Sequence, residues 1–255
     1  MPVSELHAKV ASVALAAAAP HGFALGGGNA LLAHGIITRP TQDLDLFTDQ
    51  EHGVQAAAAA VEEALRTAGF QVEREDQAGD LADLFPGMGE ELAEWIVTSP
   101  DGQELTVQLA YFDRDRDPVA MDVGPVLDLQ DVAGGKVCAL ASRVEPRDYA
   151  DTAAILDRYS PADLISFARR LDPGLEGPDF ADAGRRLDRL PDEAFAVTGL
   201  TKNNITVLRD RFASWPRTAD AAAREPQLRS DHDASREEPI AAPSHAPETE
   251  EPEIG

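Results

Sequence analysis

Two aspartates one residue apart, Asp43 and Asp45, are the residues of this chain whose types and spacing best suit catalysis. Alternate residues of a β-strand face the same side of a sheet. A strand over residues 42–47 therefore places both carboxylates on one face and Leu44 and Leu46 on the other. Paired carboxylates are hard oxygen ligands for a divalent cation, which can bridge them to a phosphate group. An isolated Asp-x-Asp pair is also common on solvated strand faces, so its interpretation depends on the residues around it.

A glycine turn precedes this pair. Residues 26–28 are all glycine, and they lie between an apolar segment at 23–25 and a short helical pattern at 29–35. This order predicts a strand, a glycine turn, a helix and then the acidic strand. Glycine allows close approach of the backbone to a ligand, the first helical turn offers free N–H groups to phosphate, and Asn29 in that turn can contact the same ligand. The sequence matches neither a Walker loop nor a dinucleotide-binding fingerprint here.

The glycine turn, short helix and Asp-x-Asp strand together resemble the nucleotidyltransferase superfamily, whose pattern is Gly-Gly or Gly-Ser followed by Asp-x-Asp or Asp-x-Glu. Further along, the segment GGKVCALASRVEPRDYADTAAIL at residues 134–156 resembles the second conserved block of the AbiEii/AbiGii (MenT-like) family. Members of that family are the toxins of type IV toxin–antitoxin systems. The two blocks occur in the expected order, and the resemblance covers residues 5–215.

This resemblance implies a mixed α/β (α+β) fold. Residues 1–125 are expected to form a nucleotidyltransferase catalytic domain with the polymerase-β-like fold and a mixed sheet, and residues 126–215 an all-helical C-terminal domain. From residue 216 to residue 255 the chain is acidic, rich in Pro, Ala and Glu and poor in large apolar side chains. Such a composition predicts a disordered tail.

The implied activity is transfer of a nucleoside monophosphate from an NTP to an acceptor, with Mg²⁺ (or Mn²⁺) as the cofactor. In characterised relatives the acceptor can be the 3′ end of tRNA, and a cognate antitoxin protein neutralises the toxin. Two alternatives remain open at this point. One is a small-molecule nucleotidyltransferase of the antibiotic-modifying type, and the other is a catalytically degenerate member that binds nucleotide or antitoxin without turnover.

The resemblance also assigns roles to individual residues. Asp43 and Asp45 are expected to bind the metal, and Lys136 to contact the nucleotide phosphates. Asp148, the first acid of an Arg-Asp-x-x-Asp block, is expected to act in catalysis, whereas Asp151 is given a structural role, pairing with Arg143 or Lys136. The predicted nucleotide-binding residues are Gly27, Gly28, Asn29, Arg39 and Arg143.

Two of these residues are arginines placed close to the predicted site. Arg143 follows Lys136 by seven residues and so lies near the same helix face, where its guanidinium can bind phosphate through two N–H groups. Arg39 lies just before the acidic strand, where it can either reach the same phosphates or stabilise the turn at Pro40.

The third carboxylate that superfamily members usually supply from a neighbouring strand is missing from its expected place. In the strand predicted at 104–112, the apolar face consists of Leu105, Val107, Leu109 and Tyr111. The opposite face carries Gln108 where the acid is expected. An amide can orient a water or a hydroxyl but cannot act as a general base. Either another acid such as Asp148 serves, or catalysis is weak.

The composition is that of a folded and strongly acidic protein. With 255 residues and 43% hydrophobic content the chain can bury a substantial core, and its formal net charge is −24. Phosphate recognition normally needs a basic patch, so RNA contacts would be local, through basic clusters at 169–170, 185–189, 202 and 209–211. Each cluster is explained at least as well as helix-surface charge that balances nearby acids.

Hydropathy and cysteine content indicate the cellular compartment of the protein. No apolar run reaches the roughly 18–20 residues of a membrane span. The single cysteine, Cys138, lies in an apolar helical pattern and fits a buried structural thiol in a reducing compartment. We therefore expect a cytoplasmic protein without membrane contact.

Periodicity predicts the elements that carry these residues. Strands are expected at 23–25, 42–47, 70–74, 94–99 and 104–112. Helices are expected at 3–19, 29–35, 54–68, 129–143, 147–158, from 161, at 178–190 and at 202–214. Residues 80–90 are ambiguous, and residues 113–128 read as a polar connection. The domain boundary is placed near residue 125, where strands give way to helices.

Overall fold

The computed structural model of the chain describes residues 5–41, 43–75, 92–143 and 145–222. Helices and strands alternate from Glu5 to Glu75, the described elements from there to Val126 are all strands, and helical segments alone follow. The strands are β1 (Ala24–Leu25), β2 (Asp43–Thr48), β3 (Gln71–Glu75), β4 (Leu92–Thr98), β5 (Glu104–Tyr111), β6 (Val119–Met121) and β7 (Gly124–Val126). The helices between them are α1 (Glu5–Ala18), α2 (Gly27–Ala33) and α3 (Gly53–Thr67), with a 3-10 turn at Ala19–His21.

The seven strands form one mixed sheet in the order β3-β4-β5-β2-β1-β7-β6. β2 runs parallel to β5, and β1 runs parallel to β7, while the other neighbouring pairs are antiparallel. This mixed sheet confirms the predicted mixed α/β fold class. It places β2 and β5 side by side at its centre, with Asp45 opposite Gln108.

The core of the N-terminal half, which ends with β7 at Val126, lies between the sheet and the helices α1 and α3. Helical spacing puts Val54, Val61 and Leu65 of α3 on one stripe, and all three are buried. Gly69, with a φ of +92°, follows the end of the helix, where left-handed backbone is needed for the turn into β3. Trp95 of β4 is fully buried in this core.

The second half consists of helices that begin at well-defined caps. Asp128 accepts a hydrogen bond of 2.8 Å from Gln130 N, and Ser160 accepts one of 3.2 Å from Asp163 N, immediately before a proline at the first helical position. These helices are α4 (Leu129–Ser142), α5 (Pro146–Ile155), α6 (Pro161–Leu171), α7 (Gly177–Arg189), α8 (Lys202–Arg211) and α9 (Ala219–Ala222), with 3-10 segments at Asp192–Thr198 and Phe212–Ser214.

The connection predicted at 113–128 contains a small hairpin that the sequence does not reveal. β6 and β7 pair with each other, and β7 also pairs with β1 through Leu25 and Val126. Each of these strands has only three residues, which is too short for a recognisable alternation. Their pairing depends on the edge that β1 offers, and the sheet therefore continues to Val126, past the predicted boundary.

The packed chain extends beyond residue 216, where the sequence predicts the start of a disordered tail. Arg217 donates hydrogen bonds of 2.8 and 2.9 Å to the carboxylate of Asp188 on α7. At Gly184 of α7 a Cβ atom would lie 2.4 Å from the carbonyl oxygen of Pro216, so glycine lets this segment approach the helix. The predicted tail is thus shortened at its start, and the rest of it, like the segment 80–90, falls outside the described residues.

The described helices and Cys138 can be compared with the expectations from hydropathy and cysteine content. Within the described ranges, no helix combines the length and the apolar character needed to cross a bilayer. The Cys138 thiol donates to the carbonyl oxygen of Ala168 at 3.6 Å, and burial raises its pKa to about 12. Such a thiol is a packing group, because the reactive form is the thiolate.

Candidate active site

β2 presents two aspartates to a cavity between the sheet and the helices. Asp43 and Asp45 lie on the cavity side, and Leu44 and Leu46 are fully buried on the opposite side. The division of faces expected from the alternation is therefore confirmed. The two carboxylates project from the face of a central strand towards the cavity, a position that is suitable for binding a ligand.

The two aspartates differ in their surroundings. Burial raises the pKa of Asp45, the positive charge of Lys136 acts against this increase, and the charge of Asp43 adds to it. The Asp43 side chain is 42% exposed, and its Oδ2 lies 3.8 Å from Nη1 of Arg147. The pair is thus only partly compensated by basic groups, a condition that favours the binding of a cation.

The glycine turn before α2 is shaped around Asp45. Gly26 N donates a 2.8 Å hydrogen bond to the carbonyl oxygen of Asp45, which fastens the turn to β2. Gly27 has a φ of +55°, and a Cβ atom there would lie 1.7 Å from Oδ2 of Asp45. Only glycine fits this position, for both conformational and steric reasons. Gly27 and Gly28 line the cavity, in agreement with their predicted place at the site.

Asn29 has a different role from the one expected. Its side chain is buried, its Nδ2 donates a 2.7 Å hydrogen bond to the carbonyl oxygen of Asp43, and its Oδ1 accepts one of 2.9 Å from Thr41. Asn29 is not among the residues that line the cavity. It joins α2 to the acidic strand and so positions Asp43, because the first turn of α2 faces the sheet.

The helical half contributes a network of charges centred on Asp151 of α5. Lys136 of α4 forms a 2.9 Å ion pair with Asp151 Oδ2, and Arg39 forms a hydrogen-bonded ion pair with Oδ1 of the same group. Asp151 is 1% exposed, while Lys136 and Arg39 line the cavity beside it. A carboxylate paired in this way fixes the positions of both cations at the cavity wall.

The predicted pairing of Asp151 with Lys136 is present in the structure, whereas Asp148 lies outside the cavity lining. Asp148 is fully buried, and its carboxylate accepts hydrogen bonds of 3.0 and 2.9 Å from Arg143. It also accepts one of 3.3 Å from Glu145 N, as part of the capping box of α5. Asp151 lines the cavity and Asp148 does not. The choice between two acids three residues apart depended on the orientation of α5, which the sequence motif does not specify.

The rim of the cavity is basic. Arg143 is half-exposed, and its bond to Asp148 raises its pKa further and fixes the direction of its guanidinium. Arg147, which was not predicted as a site residue, also lines the cavity and approaches Asp43. The sequence signal that could have identified Arg147 was its position as the first residue of the Arg-Asp-x-x-Asp block. Both arginines can donate to an anion, as Lys136 and Arg39 can.

Gln108 occupies the position of the missing third carboxylate, as the sequence indicates, and Glu94 of the neighbouring strand contacts it. Gln108 lies opposite Asp45 on one side and opposite Glu94 of β4 on the other. The Gln108 Nε2 group donates a hydrogen bond to Oε2 of Glu94, which is buried. Sequence reasoning missed Glu94, although it stands as a lone acid in the apolar segment of β4.

The acidic pair, the glycine turn and the basic residues of the two halves line one cavity of about 780 Å³. The sheet half lines it with Gly27, Gly28, Arg39, Pro40, Thr41, Asp43, Asp45, Phe47, Gln108 and Phe112. The part that follows the sheet lines it with Leu127, Asp131, Val132, Gly135, Lys136, Ala139, Arg143, Arg147, Asp151, Thr198 and Gly199. The lining contains four acidic and four basic side chains, whereas the whole chain has 46 acidic and 22 basic residues. The cavity is therefore much less acidic than the rest of the protein.

One end of the cavity is apolar. Phe47 follows Asp45 on the same face of β2, and its ring centroid is 5.3 Å from that of Phe112. Leu127 and Val132 complete this end. An aromatic and aliphatic wall next to a charged one is the combination that a nucleotide requires, because the base is flat and largely apolar and the phosphates are anionic.

The donor set at Asp43 and Asp45 fits a hard divalent cation. In the part of the chain that the structure describes, no group of three or more His, Cys, Asp or Glu side chains has the arrangement of a metal site. Mg²⁺ commonly takes only one or two protein carboxylates, with waters and substrate phosphates as its other ligands. Asp43 and Asp45 can supply two such ligands, and the amide of Gln108 can supply a neutral oxygen.

Most of the other basic residues considered for RNA binding are paired with acids. Arg170 donates to Asp115 at 2.7 Å, and Arg209 donates to Asp192 at 2.8 Å. Asp182 pairs with Arg185, Arg186 and Arg189. These pairs support the interpretation of the clusters as balanced surface charge.

Comparisons with known proteins agree with this geometry. The family model for the nucleotidyl transferase AbiEii toxin of type IV toxin–antitoxin systems matches residues 12–238. The structure is similar to that of JHP933 from Helicobacter pylori, with a TM-score of 0.54 and 16% identity, over 82% of this chain and 91% of that one. It is also similar to MenT4, a nucleotidyltransferase toxin from Mycobacterium tuberculosis H37Rv, with a TM-score of 0.53 and 14% identity, over 82% of each chain.

A comparison with curated proteins gives no significant match. The two structural similarities, at their low identity, support the fold. The family match covers most of the chain and includes the glycine turn, the Asp-x-Asp strand and the α4–α5 block that build the cavity. The chain belongs to the AbiEii family of nucleotidyltransferase toxins.

Proposed function

We propose that the protein transfers a nucleoside monophosphate from an NTP to the 3′ end of tRNA with Mg²⁺ (or Mn²⁺) as its cofactor, and that a cognate antitoxin restrains it in the cytoplasm. One observation carries the proposal: the acidic pair of β2 and the cations fixed by Asp151 line the same cavity. Nucleotidyl transfer needs these two kinds of group within reach of one triphosphate.

The residues of the cavity divide the work of this reaction. Asp43 and Asp45 would hold the cation, and the chemistry that it supplies there is neutralisation of charge at the α-phosphate. Lys136 and Arg39, held by Asp151, are placed to bind the outer phosphates, with Arg143 at the rim. In the reaction the acceptor hydroxyl loses its proton to solvent and its oxygen bonds to the α-phosphorus. The bond from that phosphorus to the bridging oxygen breaks, and pyrophosphate leaves.

The acceptor has to be recognised locally. Because the arginine clusters on α6 and α7 are paired, the described surface offers little for a broad duplex footprint. A single-stranded 3′ end needs only the basic rim of the cavity and a wall on which a base can stack, such as Phe47 and Phe112. The tRNA acceptor end meets this requirement.

The test is transfer of label from each of the four NTPs to total tRNA in the presence of Mg²⁺. We expect the wild-type protein to label tRNA at its 3′ end, and Asp43→Ala and Lys136→Ala to reduce labelling by about a hundredfold or more, because each removes charge stabilisation of the transferred phosphate. Lys9→Ala is the matched control, since Lys9 is exposed on α1 and is not part of the cavity lining. Saturable NTP binding without any transfer to tRNA would contradict the proposal.

The acidic body of the protein favours a second candidate, a cationic small-molecule acceptor such as an aminoglycoside. A formal net charge of −24 attracts polycations and repels RNA. The same assay with aminoglycosides in place of tRNA separates the two candidates. Label on the small molecule, with unlabelled tRNA, would select this alternative.

A further inference from the structure

Three residues form a row across the centre of the sheet. Asp45 of β2, Gln108 of β5 and Glu94 of β4 are direct neighbours in register, so their side chains lie on the same face. Asp45 and Gln108 line the cavity. Glu94 is 6% exposed and lies one strand beyond it.

The contact between Glu94 and Gln108 determines which end of the amide faces the cavity. A carboxylate only accepts hydrogen bonds, so it selects the NH₂ end of the neighbouring amide. The Gln108 Nε2 group donates to Glu94 Oε2 accordingly. The carbonyl oxygen of Gln108 is then left for the side of Asp45, where a cation or a water bound to it would lie.

Glu94 also explains why the third position carries an amide. A glutamate at 108 would place a carboxylate between those of Asp45 and Glu94 in one partly buried row, and like charges at such distances are unfavourable. With Gln108 in place, Asp45 and Glu94 are separated by a neutral group whose two ends match both neighbours.

We propose that Glu94 is a positioning residue of the active site, which holds the Gln108 carbonyl oxygen towards Asp45 as a third, neutral oxygen ligand for the cation or its water. This inference rests on the proposed function, because it assumes a divalent cation at Asp43 and Asp45. Glu94 acts through Gln108 and does not touch the reacting groups.

Binding of Mn²⁺ to the intact protein, measured by electron paramagnetic resonance, tests the proposal without relying on turnover. We expect Glu94→Gln and Gln108→Leu each to weaken Mn²⁺ binding by about tenfold or more, as is typical when the support of a metal ligand is removed. The double variant should be no weaker than Gln108→Leu alone, because the two changes interrupt one chain of contacts.

An exchange of the two groups sharpens the test. The variant Glu94→Gln/Gln108→Glu puts a carboxylate at the third position and an amide behind it, and we expect Mn²⁺ binding at least as strong as that of the wild type. Glu75→Gln is the control, because Glu75 lies opposite Glu94 on β3 and is exposed, away from the cavity lining. It should bind Mn²⁺ as the wild type does.

The outcomes separate this inference from the proposed function. If Asp45→Asn abolishes Mn²⁺ binding while Glu94→Gln matches Glu75→Gln, the site exists and Glu94 has no part in it. A Glu94→Gln variant that loses thermal stability but keeps its Mn²⁺ affinity also overturns the positioning role. If the wild-type protein shows no saturable Mn²⁺ binding, the proposed cation site fails, and this inference with it.

Discussion

The two walls of the cavity use charge in opposite ways. The sheet wall, formed by Asp43, Asp45 and Gln108, carries carboxylates that are only partly compensated by bases. The helical wall, formed by Lys136, Arg143 and Asp151, carries charges that are paired within hydrogen-bonding distance. Unpaired charge costs stability and is available to a ligand, whereas paired charge stabilises the fold and fixes donor directions. The comparison predicts that changes in the sheet wall affect activity first and that changes behind the helical wall affect stability first.

The largest effect is expected from Asp45→Asn. Transfer should fall by about a thousandfold, because several kcal/mol of charge stabilisation depends on the cation held there. The stability of the folded protein should increase in this variant. Burial raises the pKa of Asp45, so the folded protein binds this proton more tightly than the unfolded chain does. Stability then falls as the pH rises from the ordinary aspartate value through the raised pKa.

Thermal melting in metal-free buffer from about pH 4 to about pH 8 checks this sign, because these values span the ordinary aspartate pKa and neutrality. Asp45→Asn should melt above the wild type at neutral pH, and the difference should shrink in acid. Addition of Mg²⁺ with NTP should stabilise the wild type only. A variant that is both less stable and still active would break the comparison between the walls.

The next largest effect is expected from Gly27→Ala, measured against Gly35→Ala. Both glycines have positive φ, at +55° and +69°, so both substitutions carry a similar backbone penalty of about 1–2 kcal/mol. Only at Gly27 would the new Cβ displace Asp45, since nothing lies within 4 Å of the corresponding point at Gly35. We expect about a hundredfold loss of transfer for Gly27→Ala and little loss for Gly35→Ala. Equal losses would show that backbone strain alone was responsible.

Behind the helical wall, Asp148→Asn should affect stability more than chemistry. The change weakens two hydrogen bonds from Arg143 and one from the cap of α5, and the free energy of unfolding should fall by about 2–4 kcal/mol. Urea denaturation measures this change. Asp157→Asn, at an exposed ion pair with Arg211, should cost less than about 1 kcal/mol. Wild-type stability with loss of activity in Asp148→Asn would return this residue to the catalytic role first assigned to it.

The smallest effect is expected at the far end of the helical half, from Asp188→Asn. The hydrogen bond from Arg217 holds the pKa of Asp188 below its ordinary value. The pair therefore stabilises the fold above that ordinary value, and its contribution is lost as the pH falls through the lowered pKa. Because both side chains are partly exposed, this ion pair should contribute about 1 kcal/mol or less to the free energy of unfolding. Urea denaturation at about pH 7 should show the full difference, and the difference should shrink as the pH falls from about 4, near the ordinary aspartate pKa, through the lowered pKa of Asp188.

Local patterns made much of the fold predictable. The alternation in β2 and β5, the helical stripe of α3 and the caps of α4 and α6 each depend on residues close in sequence, and the elements lie within a few residues of their predicted bounds. The hairpin of β6 and β7 was missed because three-residue strands have no pattern of their own. Their stability comes from the edge of β1, which is distant in the sequence.

The sequence by itself determined the family, the mixed fold and the Asp43-x-Asp45 face, because alternation and motif order are local properties of the chain. Only the tertiary structure decided that Asp151 and not Asp148 lines the cavity, that Asn29 supports β2, and that Glu94 stands behind Gln108. Each of these facts depends on the rotation of a helix or on the pairing of strands. Packing across the whole chain fixes both, and no short stretch of residues encodes them.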